Sequence, residues 1–143
     1  MQGWTQMLDG IAANNEAGAV KASINAYFDS WKTGDIDARA ALFADDASFA
    51  DPVGSPKFDG LEAIRGFWTN AARAPIDTRP EVERVVVCGD EALVVFTMFL
   101  DMKGKTVGSL QVHERFVFGP DGKIVELQPF WDMDSVNRNL PAS

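Results

Sequence analysis

Apolar side chains recur with helical spacing in the first third of the chain. Val20, Ile24, Tyr27, Phe28 and Trp31 fall at i, i+4, i+7, i+8 and i+11, which is one face of a helix. The pattern predicts a helix from about Asn15 to Thr33, stopped by Gly34 as a C-terminal cap. Asp35 is placed to cap a short second helix carrying Ile36, Leu42 and Phe43. Residues 47–51 read as a short strand that Pro52 and Gly54 end. A third helix from Gly60 puts Leu61, Ile64, Phe67, Trp68 and Ala71 on one side.

After Pro80 the period changes from helical to two. Strands are expected at about Glu81–Cys88, Glu91–Met102, Thr106–Phe118 and Lys123–Trp131. Gly89-Asp90, Lys103-Gly104 and Gly119-Pro-Asp-Gly122 supply the turns. Helices first and a meander of strands afterwards indicate an α+β fold, three N-terminal helices packed on one face of a mainly antiparallel sheet. Residues 1–13 read as a loosely ordered arm, 14–132 as a single domain and 133–143 as a polar tail. The second strand of the meander is apolar on both faces, with Ala92, Val94, Phe96, Met98 and Leu100 against Leu93, Val95 and Phe99. One face suits the core. The other suits a homodimer through the sheet, or a further covering element.

Composition narrows the function classes. At 143 residues the chain supports one domain with one sizeable core, and its ten Phe and four Trp favour aromatic walls. A net charge of −8 without a basic cluster argues against nucleic acid or anionic membrane as partner. No secretory signal or membrane-length apolar run is visible, and the one cysteine, Cys88, fits a reducing compartment. A cytoplasmic protein is therefore expected. Cys88 ends a Val-Val-Val-Cys run and reads as a small core hydrophobe.

Three proton-handling groups stand on apolar faces. Glu114 shares its side of a strand with Leu110, Val112, Phe116 and Phe118, while Ser109, Gln111, His113 and Arg115 take the other. A carboxyl group against hydrocarbon either pairs with a cation or keeps its proton. Tyr27, the only tyrosine, lies between Ile24 and Trp31; Asp51 lies on the side of Ala47 and Phe49. A core tyrosine bonded to a backbone carbonyl and a turn-forming Asp before proline are the structural alternatives. Should the three converge, a carboxylate base and two neutral donors in an aromatic pocket suit proton abstraction beside a carbonyl, with the enolate held by the donors. That chemistry requires no cofactor.

The segments Tyr27-Phe-Asp-Ser-Trp-Lys-Thr-Gly-Asp-Ile-Asp37, Leu42-Phe-Ala-Asp-Asp-Ala-Ser-Phe-Ala-Asp-Pro-Val-Gly54 and Phe58-Asp-Gly-Leu-Glu-Ala-Ile-Arg-Gly-Phe67, with Phe118 to Trp131, carry a family resemblance. The chain resembles the bacterial Δ5-3-ketosteroid isomerases, within the nuclear-transport-factor-2-like (SnoaL-like) group of cone-shaped folds. The Gly-Asp-Ile-Asp and Leu-Phe-Ala-Asp-Asp-Ala stretches point to the fold; Asp-Pro-Val-Gly points to the isomerase branch. The resemblance implies that Tyr27 is an oxyanion donor, Asp51 the general base, Glu114 the second donor and Trp131 a wall of the steroid site. The family is itself the standard example of a carboxylic acid held neutral by an apolar site. Glu114 stands where the family has Asp, one methylene shorter. Phe43 and Trp68 stand where some members carry further tyrosines, so a tyrosine network is not expected.

Other motifs lead nowhere chemical. His113 points away from Glu114 on a regular strand. One His with one Cys gives no zinc ligand set, and the acidic pairs Asp45-Asp46 and Asp132/Asp134 read as solvated loop charge. Gly119 to Gly122 is a turn without the Lys-Ser/Thr of a phosphate loop. The expectation is a cofactor-independent isomerase, without metal, that moves a C=C bond into conjugation in a 3-oxo-Δ5-steroid or similar apolar ketone. Phe49, Val112, Phe116 and Trp131 are the expected substrate walls. The alternatives are a binding protein for apolar ligands and a polyketide-cyclase-like enzyme on the same fold.

Overall fold

A computed structural model describes residues 2–137 of the chain. Four helices and seven strands follow in order: α1 Gln2–Asp9, α2 Ala17–Thr33, α3 Ile36–Ala40, β1 Phe43–Phe49, β2 Phe58–Asp59, α4 Leu61–Ala71, β3 Asp77–Cys88, β4 Glu91–Met102, β5 Lys105–Phe118, β6 Ile124–Phe130 and β7 Val136–Asn137. The strands form one sheet in the order β2-β1-β6-β5-β4-β3, with β7 joined to the start of β5. Pairing is antiparallel except between β1 and β6, so the sheet is mixed. Bulges in the β3–β4, β4–β5 and β5–β6 ladders add bend and twist. Helices α2, α3 and α4 lie over one face, which gives the α+β cone.

Local chemistry sets the joints. Gly34 takes the left-handed conformation (φ 74°) that ends α2, and its N–H reaches Ser30 O. Asp35 then caps α3 by accepting from Ala38 N at 3.0 Å. Along β5 burial alternates: Val112, Glu114, Phe116 and Phe118 face inward, as period two requires. They meet Ile24, Phe28, Phe96 and Leu127 in the core. Pro80 falls inside β3, which forms the edge of the sheet, where the missing N–H breaks no interior ladder.

Several elements differ from the sequence reading. Strand β1 begins at Phe43 rather than Ala47, because Asp45 and Asp46 face solvent within it, and Phe43 thus leaves the short helix. Strand β3 begins four residues earlier than expected. Residues 1–13, read as a loosely ordered arm, contain α1, whose Trp4, Met7 and Leu8 are exposed. Behind it Asp90 fastens the chain: both its oxygens accept from Asn14 N, Oδ1 from Asn15 N, and the amides of Asn14 and Asn15 donate as well. Those bonds hold the Asp90 carboxyl below the usual range. The tail supplies a 3-10 turn, Met133–Ser135, and β7; residues 138–143 lie outside the described residues. Cys88 is exposed at the end of the edge strand, not a core residue.

Candidate active site

Register brings the expected residues to one level of the cone. Phe49 pairs with Leu127 in the parallel β1–β6 ladder, which carries the chain beyond β1 toward Pro129. The Val53 N–H donates to Pro129 O at 2.9 Å and secures the Asp51-Pro52-Val53 turn there. Pro129 is in turn the cross-strand partner of Glu114. Asp51 and Glu114 are thus one strand apart at the same height. Tyr27 comes from the helical layer; its ring meets Phe116, two positions along the inward face from Glu114, at 5.3 Å.

The environment of each group fixes its protonation. Glu114 is buried, its Oε1 has no hydrogen-bond partner, and among the described residues it forms no ion pair. The alternative of a carboxylate paired with arginine is therefore not met: Arg115 turns outward to Glu91 and Gln128. Desolvation, helped by the Asp51 charge, raises the Glu114 carboxyl to about 8. That shift favours the protonated form at pH 7.

The Tyr27 hydroxyl is pushed well above its ordinary value. Burial does most of this, the negative charges of Glu114 and Asp51 add to it, and Trp31 and Arg39 oppose it. Asp51 as a residue reaches solvent, yet the surrounding protein still raises its carboxyl, against the hydrogen bond from Trp131. That bond runs from Trp131 Nε1 to Asp51 Oδ1 at 2.7 Å. Tyr27 thus feels the charges of Glu114 and Asp51, and Glu114 that of Asp51, as groups near one another do.

The expected walls divide. Phe116, Val112 and Phe49 are core residues, and Trp131 is half-buried beside Asp51. Phe28, Phe43 and Phe116 surround Tyr27 with centroid separations of 5.2, 6.0 and 5.3 Å. A cavity of about 270 Å³ is lined by Phe49, Ala50, Val53, Gly54, Leu127 and Gln128, and by none of Asp51, Tyr27 and Glu114. A larger one of about 780 Å³ opens at the ends of α2 and α4 and is lined by Trp31, Arg39 and Trp68. His113 is exposed and apart from the site. No group of three or more His, Cys, Asp or Glu side chains suited to a metal occurs among the described residues.

Arg39 escaped the sequence reading. It is 2% exposed, and its guanidinium carbon lies 3.6 Å from the Trp31 ring centroid. The available signal was its spacing, three after Ile36 and four before Phe43, on the apolar stripe of a helix too short to establish a period.

Comparison with known proteins follows the same lines. Residues 24–127 match the family model of the SnoaL-like domain. The chain is 32% identical over 112 residues to a steroid Delta-isomerase of Nocardioides simplex, covering 78% of this chain and 89% of that protein. Among solved structures it is similar to SalBIII, an epoxide hydrolase/cyclase-like enzyme in pyran ring formation in the polyether salinomycin. The TM-score is 0.73 at 23% identity, covering 83% of this chain and 95% of that one. RV0760c of Mycobacterium tuberculosis, solved with estradiol-17beta-hemisuccinate, gives 0.72 at 17% identity, covering 83% and 98%. At these identities the structural likeness shows the fold.

Proposed function

The chain belongs to the SnoaL-like domain family, and on that premise we propose a cofactor-independent isomerase that moves a C=C bond into conjugation with the carbonyl of a 3-oxo-Δ5-steroid or similar apolar ketone. The family and the Nocardioides relative support an isomerase- or cyclase-type activity. The observation that carries the finer reading is Glu114, a buried acid with an unpartnered oxygen beside Asp51 and Tyr27.

In this reading the Asp51 carboxylate removes a proton from the carbon between carbonyl and alkene. Charge then moves to the carbonyl oxygen. Tyr27 and neutral Glu114 donate hydrogen bonds to that oxygen, which are stronger in the dienolate than in the ketone and so accelerate the step. Asp51 returns the proton at the far carbon. Trp131 holds the Asp51 carboxylate in place through Oδ1 and leaves the other oxygen for the substrate proton. The extra methylene of Glu114, relative to the family's Asp, lengthens one donor.

Purified protein mixed with a Δ5-3-ketosteroid should produce conjugated-enone absorbance. Saturable binding of the same steroid without any enone would reject catalysis in favour of a ligand-binding protein. Neither turnover nor binding would reject the steroid class.

A further inference from the structure

Arg39 is a buried cation that no carboxylate touches; Asp35 acts on it only from a distance. Among the described residues it forms no ion pair within 4.0 Å, although a buried guanidinium normally requires one. Its partners are neutral. Nε donates to Ser30 Oγ at 3.0 Å and Nη2 to Ser30 O at 3.1 Å, which spends one edge of the planar group. Trp31 stacks on it, and the Trp68 ring centroid lies 4.9 Å from its carbon. What remains is the end-on edge, Nη1 with the second proton of Nη2, the pair of donors that matches two carboxylate oxygens.

A second orphan stands beside it. Trp68 is 1% exposed, and its Nε1 donor has no acceptor. That N–H is sealed inside the protein, so Trp68 meets the cavity through its ring. Arg39 and Trp68 both line the cavity of about 780 Å³, whose other walls include Ile36, Ile76 and Pro80. The size falls in the range of about 300–1,000 Å³ usual for small-molecule sites. The acids on the far wall are already matched or solvated: Arg79 bridges Glu81 at 3.0 Å and Asp101 at 3.2 Å, and Asp77 is exposed. Lys32 adds a further positive charge to the lining.

We propose that this cavity binds an organic carboxylate, its two oxygens on the end-on edge of Arg39 and its apolar body along Trp31, Ile36 and Pro80. The ligand would supply Arg39 with the directly bonded counter-charge it lacks. Burial lowers the Arg39 pKa by more than Tyr27 and Asp35 raise it, so an arriving anion restores part of what desolvation removed. Arg39 and Trp31 also act on Tyr27, but the binding is read without turnover, so its failure and that of the isomerase reading are distinguishable.

Calorimetric titration with 2-naphthoate and with its neutral isostere 2-naphthylmethanol tests this without turnover. At pH 7 the wild-type protein should bind the carboxylate at least tenfold more tightly than the alcohol. Arg39→Gln should abolish the preference. Arg39→Lys, with charge but no fork, covers the case in which Arg39→Gln does not fold, and should also lose most of the preference. Equal affinities for the two probes, absence of naphthoate binding to the wild type, or an unchanged preference in a folded Arg39 variant would overturn the proposal.

Discussion

Glu114 shows how a single side chain's surroundings decide its chemistry. Its carboxyl ionises near 4.5 in an ordinary setting and near 8 in the fold. Between those values the unfolded chain has released the proton and the folded chain still holds it, so stability falls as pH rises through the window and levels off above it. At about 1.4 kcal/mol per pH unit the total is a few kcal/mol. Glu114→Gln, which keeps the shape but cannot ionise, should therefore gain on the wild type from pH 5 to 8. Urea unfolding of both proteins across that range measures the difference. Parallel curves would show that Glu114 is ionised in the fold.

The residue scale was also the most legible. Glu114 could be placed because a fourteen-residue strand repeats its period often enough to fix each face. Tyr27 could be placed for the same reason on α2. Arg39 could not, since α3 spans five residues and long basic side chains ordinarily mark a solvent face. That Glu114 lacks a cation, and that Arg39 lacks an anion, are facts of three-dimensional neighbours.

Among the elements, the sheet's outer face has an unresolved role. Leu93 of β4 and its cross-strand partner Val86 of β3 are exposed, and so is Phe130, the partner of His113 in β6. Polar groups border them: Glu83 accepts from Thr97 and Gln111, and Arg115 binds Glu91. Exposed apolar residues among polar ones suit a protein contact, and we propose that two copies meet through this face. Sedimentation at micromolar concentration should give a dimer that Leu93→Lys shifts to monomer. A wild-type monomer at every concentration would refute this.

The interior strands and long helices were readable because their faces differ sharply in polarity. The start of β1 was hidden by Asp45 and Asp46, and that of β3 by Pro80, which an edge strand tolerates. The α1 helix carries exposed apolar residues that no periodicity toward a core could explain.

At the scale of the whole molecule, the decisive feature is the parallel pairing of β1 with β6. It joins segments about eighty residues apart, and no local pattern announces it. Family resemblance, rather than periodicity, carried the expectation that Asp51 and Glu114 converge. The register Asp51 turn, Pro129, Glu114 gives that convergence a physical basis, and the helix layer adds Tyr27 from above. No helix among the described residues is long and apolar enough to cross a membrane.

The account rests on Asp51 as the group that moves the proton. The most direct test is steady-state turnover of a Δ5-3-ketosteroid by wild type and Asp51→Asn, followed by enone absorbance. A general base contributes about 10²–10⁴-fold to such a step. The account predicts a loss of kcat of that size with KM changed severalfold at most, because asparagine preserves the Trp131 bond and the pocket while removing the base. An Asp51→Asn enzyme with undiminished kcat would contradict it.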